Sequence, residues 1–291
     1  MLRLGIIGGS GLYAIDDLTD VRTADVVTPF GAPSDPPVTG RIGDTEIVFI
    51  SRHGRGHRFS PSNLPYRANI YALKQLGVTH VLSVSAVGSL REELPPRSLV
   101  LPDQVIDRTV DRPRTFFDDG VVAHVGIASP FCPLFRDTLN AAASAIGQPF
   151  RKDGTYVCIE GPQFSTRAES TLYRSWDASI IGMTVMPEAR LAREAELCYA
   201  TAALVTDYDV WHDTEAEVSV ESVASHLAAN VATSLSLMRS LLHVGLPDRS
   251  CGCADALANA IVTDPATLRV DTLNRLGLIG ERYLPRPPKP S

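Results

Sequence analysis

The feature of this 291-residue chain that most limits its fold is the alternation of short apolar runs with amphipathic stretches. Several runs are apolar on both faces, which is typical of strands buried beneath helices. The clearest amphipathic stretch repeats apolar residues every three or four positions, as a helix packed on a core does. Strands that alternate with helices in this way predict an α/β architecture. The predicted strands are Leu4–Ile7, Ile47–Ser51, His80–Ser85, Ser98–Leu101, Tyr156–Ile159, Ser179–Met183 and Cys198–Thr206, and the predicted helices are Pro65–Leu76, Pro133–Ile146, Thr166–Trp176, Pro187–Leu197 and Glu217–His243.

Composition and charge exclude several classes of protein. Hydrophobic residues make up 44% of the chain, which supplies a sizeable core and argues against intrinsic disorder. A formal net charge of −6 argues against general nucleic-acid binding, which depends on many cationic contacts to phosphates. No apolar run approaches the roughly 18–20 residues that span a bilayer, and the N-terminus lacks a secretory-signal pattern. We therefore expect a cytoplasmic protein with neither nucleic acid nor membrane as a partner.

The chain is expected to divide near residue 244. Residues 1–244 carry the alternating pattern, whereas residues 245–291 form a C-terminal extension with a Cys251-Gly252-Cys253 motif and a proline-rich tail. A zinc site needs about four ligands, and no second Cys or His pair stands near this motif. A redox pair, a local disulfide and two ordinary thiols all stay open. The three other cysteines, Cys132, Cys158 and Cys198, are predicted to be core residues.

A glycine loop follows the first predicted strand. Gly8-Gly9-Ser10-Gly11 allows a sharp turn that presents successive backbone N–H groups to an anion, and Ser10 adds a hydroxyl donor. A dinucleotide site is the alternative, because Gly9–Ala14 fits the pattern G-x-G-x-x-A. That fingerprint needs a helix after the loop and an acidic residue at the end of the next strand. The sequence offers no convincing amphipathic helix there, so a phosphate loop is favoured.

Two further loops follow predicted strands and suit an anion. Arg52-His53-Gly54 offers a guanidinium, which can form a bidentate fork on phosphate, and an imidazole that can donate another hydrogen bond. Ser85–Ser89 offers hydroxyl and backbone donors. In α/β proteins ligands bind beyond the carboxyl ends of the strands. The sequence therefore predicts a phosphate site built from three strand ends.

Two aspartates end the last predicted strand, in the order Asp207-Tyr208-Asp209. Residues i and i+2 on a strand face the same side. Because two close carboxylates cannot both ionise cheaply, one of them can keep a proton and act as a general acid towards a heteroaromatic nitrogen. Solvent-exposed turn aspartates are the alternative. An acid opposite a phosphate site favours glycoside cleavage with phosphate as the nucleophile.

These segments resemble the 5′-methylthioadenosine phosphorylases, a branch of the purine nucleoside phosphorylase superfamily. The likeness runs from Leu4 to about His243 and is most specific in Glu160–Ser170 and Thr206–Asp209. It implies an α/β fold in which a mixed sheet forms a distorted barrel flanked by helices. It also implies a homotrimer, or a hexamer, with sites at the subunit interfaces. The implied reaction is that of a pentosyltransferase: phosphate attacks C1′ of a 5′-substituted adenosine and releases adenine, without a cofactor or metal.

The resemblance also implies the roles of individual residues. Asp207 and Asp209 would be the catalytic pair that reads the adenine, with Asp207 donating a proton to N7. The residues that would hold phosphate are Ser10, Arg52, His53, Ser85, Ala86 and Thr184. The residues that would contact the nucleoside, besides the two aspartates, are Gly88, Phe164, Met183, Tyr208 and, from a neighbouring subunit, His124.

Specificity is implied by a few positions within the same resemblance. The combination of Ser165 and Asp207 implies a 6-amino base. Val220 and Val223 together suggest an apolar pocket for a methylthio group. Gly182 departs from the Asn that is usual in this branch and matches the 6-oxopurine branch instead.

Alternatives therefore stay open. Ala224 stands where many relatives carry a Leu near the 5′ group, so a 5′-halo-5′-deoxyadenosine is an alternative substrate. A 6-oxopurine nucleoside such as 5′-methylthioinosine is another. A dinucleotide-binding or catalytically idle protein is the alternative from a different class. The Cys251-Gly252-Cys253 motif resembles the C-x-C ending of some microbial members, where it can form a disulfide.

Overall fold

The computed structural model describes residues 2–9, 18–212 and 220–285. Across those residues eleven strands form one mixed sheet with six α-helices around it, which confirms the α/β class. No helix within these ranges is both long and apolar enough to cross a membrane. The strands are β1 (Arg3–Gly8), β2 (Thr19–Thr23), β3 (Val38–Ile42), β4 (Thr45–Ser51), β5 (His80–Ser89), β6 (Leu99–Val100), β7 (Gln104–Arg108), β8 (Phe150–Arg151), β9 (Thr155–Ile159), β10 (Ile180–Gly182) and β11 (Cys198–Asp207). The helices are α1 (Tyr66–Gln75), α2 (Pro133–Ala145), α3 (Arg167–Ser175), α4 (Val185–Glu194), α5 (Val220–Val244) and α6 (Val270–Leu276).

Strand β5 is the branch point of the sheet. The main path runs β2-β3-β4-β1-β5-β10-β9-β7, while β11 pairs with β5 and β6, and β8 pairs with β6. Strand β5 is parallel to both β1 and β11, and its last residues pair antiparallel with β10. Gly88 is consequently opposite Ile181 of β10 and Asp207 of β11. Three strands thus meet at the carboxyl end of β5.

Helices cover both faces of the sheet. Side chains alternate along each strand, so Ile7 enters one apolar core while Leu4 and Ile6 enter another. The first core contains residues of α1 and α4, and the second contains residues of α2 and α5. The sheet is therefore buried on both sides, as the apolar strand sequences predicted.

The C-terminal extension packs onto the rest of the chain. Leu257 and Ile279 belong to the first core, and the Tyr283 hydroxyl donates a hydrogen bond of 2.7 Å to the Glu196 carboxylate. The Arg282 guanidinium also pairs with Glu196, at 3.2 Å. Described residues beyond 244 therefore share the core of the preceding ones, and a domain boundary at 244 stays a prediction.

The extension also brings distant cysteines together. The sulfur atoms of Cys132, Cys198, Cys251 and Cys253 all lie within 4.8 Å of one another. Cys132 and Cys198 are buried, as predicted. The prediction that no further cysteine pair stands near the C-x-C motif is, however, wrong. Cys132 and Cys198 lie beside the motif in the fold, although they are 53 or more residues away from it in sequence.

Candidate active site

The predicted anion loops lie beside one another at one edge of the sheet. In the parallel register Gly8 of β1 is opposite Ser51 of β4, and Ile7 of β1 is opposite Ser83 of β5. Arg52 and His53 follow directly after the end of β4. Ser85 and Ala86 come two and three residues after Ser83 on β5. Ser10 lies outside the described residues. Four of the six predicted phosphate residues therefore share one region of the sheet edge.

Arg52 is almost fully buried, with 3% of its surface exposed, and is committed to an internal ion pair. Its Nε and Nη2 atoms donate to the Glu188 carboxylate at 3.0 and 3.2 Å. Nη2 also donates to Ser83 Oγ and Nη1 to the Val84 carbonyl. Of five N–H groups, at most one on Nη1 is left for a ligand, so the expected bidentate fork on phosphate is not available while Glu188 is paired.

The buried carboxylate of Glu188 keeps the Arg52 guanidinium positively charged. Burial lowers the pKa of the Arg52 guanidinium, but the adjacent Glu188 carboxylate raises that pKa, and the net result is above the ordinary value. Glu188 also accepts a hydrogen bond of 2.8 Å from the Tyr199 hydroxyl. Arg52 is thus a fixed cation at this edge of the sheet.

His53 is a neutral acceptor in this arrangement. Its Nδ1 lies 2.9 Å from the Phe59 carbonyl oxygen, which can only accept, so Nδ1 carries the proton. Its ring stacks on His57, with the ring centroids 4.1 Å apart. Burial lowers the pKa of His53 to about 4, and the charges of Arg52 and His57 act in the same direction. At neutral pH Nε2 is therefore available as an acceptor, whereas the sequence predicted that this His donates a hydrogen bond.

Hydroxyl groups without protein partners mark the same region. Ser85 Oγ and Tyr156 Oη are buried, and neither has a partner with hydrogen-bond geometry among the described residues. Ser85 and the Thr184 backbone lie close enough to Tyr156 to oppose the rise in its pKa that burial causes. Thr184 is itself buried just before α4, and its hydroxyl does not cap that helix. Because buried polar groups are normally paired, these hydroxyls indicate a place for a polar ligand.

The two aspartates meet at the carboxyl end of β11, but not for the predicted reason. The strand ends at Asp207, and Asp209 follows in a left-handed conformation with φ of 53°. Asp207 Oδ1 accepts from the Asp209 backbone N–H at 2.9 Å, and Oδ2 accepts from the Thr206 hydroxyl at 2.6 Å. A local turn closed by a side chain, and not strand alternation, therefore places the two carboxyl groups.

Gly88 lets the two aspartates approach β5 closely. A Cβ atom at Gly88 would lie 2.9 Å from Asp207 Oδ1 and 3.4 Å from Asp209 Cβ. Any larger residue there would displace the Asp207 carboxyl group, since contacts below 3.0 Å essentially do not occur. Gly88 thus shapes the aspartate end of the site through its lack of a side chain.

Burial changes the acidity of both aspartates. It raises the pKa of Asp207, although hydrogen bonds from Thr206 and from the Asp209 N–H oppose the rise. It also raises the pKa of Asp209, and the Asp207 charge adds to that effect. Asp209 Oδ2 is buried and has no partner with hydrogen-bond geometry among the described residues, although the Ser170 side chain lies close enough to oppose the rise in the pKa of Asp209. The pair therefore holds a proton to higher pH than free aspartate does and offers one unused acceptor.

Arg112 holds the segment between the two ends, and the sequence analysis missed it. The side chain is fully buried, and its Nε donates to Glu160 Oε1 at 3.0 Å. Its Nη1 donates to the Met183 carbonyl at 2.7 Å and to the Tyr66 hydroxyl at 2.9 Å. It thereby fixes the start of the Glu160–Ser170 motif against Met183. A lone Arg in a loop gives no sequence signal for this role.

The remaining predicted nucleoside residues differ in their surroundings. Phe164 is 44% exposed, and His124 is also exposed, with its backbone N–H bonded to the Ala260 carbonyl. Ser165 Oγ is buried and lacks a partner in the described part of the chain. The Tyr208 hydroxyl donates to the Glu92 carbonyl at 3.3 Å. The side chains of Val220 and Val223 lie outside the described residues.

Tyr156 explains why position 182 is glycine. A Cβ atom at Gly182 would lie 2.0 Å from Tyr156 Oη and 2.7 Å from Tyr156 Cζ. Tyr156 is fully buried and belongs to the core. Its ring therefore fills the space that a side chain at 182 would take, so packing against Tyr156 accounts for the glycine there.

Comparisons with known proteins agree with this arrangement. The model of the family described as "Phosphorylase superfamily" matches residues 3–243. An S-methyl-5′-thioadenosine phosphorylase of Geobacter sulfurreducens is 52% identical over 97% of this chain and 99% of its own length. A methylthioadenosine phosphorylase structure from an antarctic soil metagenomic library has a TM-score of 0.90 and 47% identity, covering 96% of this chain and 98% of its own. A variant of the Schistosoma mansoni adenosine/methylthioadenosine phosphorylase, solved with methylthioadenosine, has a TM-score of 0.81 and 36% identity, covering 89% and 96%.

We predict that Gly182 and Tyr156 are energetically coupled. Gly182→Ala should lower the free energy of unfolding by about 1–3 kcal/mol, because the new methyl group overlaps the Tyr156 ring. In a Tyr156→Met background the same substitution should cost much less, since the flexible side chain can move away. Denaturant unfolding of the four proteins measures the coupling.

Gly126→Ala is the matched control for this cycle, because a Cβ atom there meets nothing within 4 Å. It should leave stability almost unchanged. If Gly182→Ala lowered the free energy of unfolding equally in the wild-type and the Tyr156→Met background, Tyr156 would not be the residue that excludes a side chain at position 182.

Proposed function

The chain belongs to the phosphorylase superfamily and, within it, to the S-methyl-5′-thioadenosine phosphorylases, and on that premise we propose that it cleaves 5′-methylthioadenosine with inorganic phosphate. The products are adenine and 5-methylthioribose 1-phosphate. The family resemblance found in the sequence is thereby confirmed. Phosphate is the co-substrate, and we propose that the reaction needs no cofactor and takes place in the cytoplasm.

The observation that supports this function is the distance along β5 between an unpartnered hydroxyl and the place where the two aspartates pack. Ser85, with its unpartnered hydroxyl, and Gly88, with both aspartates packed on it, are three residues apart. At a rise of about 3.3 Å per residue, that is roughly 10 Å. An anion at the first end and a purine at the second would leave room between them for a ribosyl group.

The groups at each end supply the chemistry of phosphorolysis. A purine leaves C1′ readily only after N7 is protonated, and the raised pKa of Asp207 suits it to donate that proton. The bond then breaks through an oxocarbenium-like state, which the negative charge of bound phosphate stabilises before capturing it. The unpaired Asp209 Oδ2 offers an acceptor for the 6-amino group of adenine, which favours adenine over a 6-oxopurine.

The decisive assay measures released base. We expect adenine from 5′-methylthioadenosine only when phosphate is present, and Asp207→Ala should lower turnover by a factor of about 10² or more, because general acid catalysis contributes about 10²–10⁴. Asp137→Ala is the matched control, since Asp137 is exposed on α2. The 5′-halo analogues and 5′-methylthioinosine should be run in parallel to rank substrates.

Three results of this assay would contradict the proposal. Base release without phosphate would indicate a hydrolase. Hypoxanthine release from 5′-methylthioinosine with no adenine release from 5′-methylthioadenosine would indicate a 6-oxopurine enzyme. Near-normal turnover of Asp207→Ala would remove Asp207 from the acid role.

The neutral His53 predicts a preference for phosphate over sulfate. Monohydrogen phosphate carries a P–OH group that can donate to Nε2, whereas sulfate has no proton at neutral pH. His53→Ala should therefore raise the KM for phosphate by up to about tenfold, the effect of one hydrogen bond. The inhibition constant of sulfate, measured at the same pH, should change by less than about twofold.

His243→Ala is the control for that comparison, because His243 is an exposed histidine in the last turn of α5. It should leave both constants nearly unchanged. If His53→Ala weakened the binding of phosphate and of sulfate equally, Nε2 would not accept a hydrogen bond from the P–OH group of phosphate.

We also propose that the active form is a homotrimer, or a hexamer of two trimers, in which His124 completes a neighbouring site. The exposed positions of His124 and Phe164 support this, because both would be covered at an interface. Light scattering should give a mass of three or six chains. Co-expressed His124→Ala and Asp207→Ala chains should together exceed the summed activity of the two separate variants, and a monomer, or no gain, would contradict the proposal.

A further inference from the structure

We propose that Cys132, Cys198, Cys251 and Cys253 bind one Zn²⁺ ion in a closed structural site. All four sulfur atoms lie within 4.8 Å of one another. Cys251 Sγ is 3.4 Å from both Cys132 Sγ and Cys198 Sγ. The cluster therefore offers four soft ligands around a common centre.

The spacing of the sulfur atoms suits a tetrahedral metal. With Zn–S bonds of about 2.3 Å, the sulfur atoms of a tetrathiolate site are about 3.8 Å apart. The two measured contacts of 3.4 Å are close to that edge length. They are much longer than the roughly 2.05 Å of a disulfide bond, and all four thiols are free. Small shifts of the side chains would complete the coordination.

Separate elements hold the four ligands in place. Cys132 precedes α2, Cys198 begins β11, and Cys251 and Cys253 stand at the start of one 3-10 helix (Gly252–Asp255) in the C-terminal extension. Cys132, Cys198 and Cys253 are each no more than 1% exposed. Four thiolates saturate tetrahedral zinc and leave no position for water or substrate, which is the pattern of a structural and not a catalytic site.

The surroundings of the cluster can stabilise its negative charge. His80 is the register partner of Cys198 in the parallel β5–β11 pair, and its Nε2 is buried with no partner among the described residues. Its Nδ1 lies 3.0 Å from the Thr79 hydroxyl. The His80 ring therefore stands beside Cys198, where an imidazole can support a metal-bound thiolate as an outer-shell group. The Arg193 cation also lies close enough to Cys253 to attract its thiolate.

The position of the cluster separates it from the proposed chemistry. Cys198 and Asp207 are the first and last residues of β11, so about 30 Å of strand lies between them. A metal there would not reach the substrate. It would instead fasten the C-terminal extension to α2 and β11, so its loss should lower thermal stability.

Metal analysis of the full-length protein tests the proposal. Protein purified without added metal should contain about one zinc per chain. Cys251→Ser and Cys253→Ser should each lower that content at least about tenfold, because three thiolates bind more weakly than four. Cys158→Ala is the matched control, since Cys158 is a buried thiol outside the cluster, and it should keep its zinc. Removing the metal with a chelator should lower the melting temperature, and added zinc should restore it.

A second measurement does not depend on the variants folding. Wild-type protein stripped of metal and titrated with Co²⁺ should develop the intense visible and near-ultraviolet absorption of a tetrahedral thiolate site, saturating near one equivalent. Metal-free protein with reduced cysteines that takes up neither Zn²⁺ nor Co²⁺ would overturn the proposal. Iron in place of zinc, or two disulfides in the protein as purified, would overturn it as well.

Discussion

The buried ion pair between Arg52 and Glu188 is the interaction on which the rest of the site depends. It joins the end of β4 to α4, and through further hydrogen bonds it reaches β5 and the Tyr199 hydroxyl of β11. Removing one partner of such a pair typically costs about 3–5 kcal/mol, because the other charge is left buried and unpaired. The pair therefore fixes a cation at the sheet edge before any phosphate arrives, and its hydrogen bonds to Glu188, Ser83 and Val84 offset the cost of burying the charge.

The aspartate end of the site depends on a different constraint, which is the absence of a side chain at Gly88. The Asp207-Tyr208-Asp209 turn folds back on itself, and both carboxyl groups then pack against β5. Their burial raises both pKa values and leaves one oxygen of Asp209 unpaired. A buried cation thus follows β4, and two aspartates with raised pKa values pack against the end of β5. On our proposal the phosphate and the purine bind at these two ends.

The sequence predicted the strongly apolar elements and missed a strand that carries no apolar pattern. Strands β1, β4, β5, β6, β9, β10 and β11 coincide with predicted runs, whereas β2 is exposed at all five positions and carries no apolar pattern. Residue type indicated Asp207 and Asp209, but only the backbone shows that a turn places them. The commitment of Arg52 to Glu188, the overlap of Gly182 with Tyr156 and the meeting of four cysteines are contacts between distant positions, which spacing along a chain cannot reveal.

A crystal structure with phosphate and an uncleavable 5′-methylthio analogue of adenosine tests the central claim most directly. We expect the anion within hydrogen-bond distance of the Ser85 and Thr184 hydroxyls and of a single Arg52 Nη1 donor, with Glu188 still paired to Arg52. Purine N7 should lie about 3 Å from the Asp207 carboxyl group. An Arg52 side chain that leaves Glu188 to fork the phosphate, or an anion and a base in separate cavities, would contradict the account.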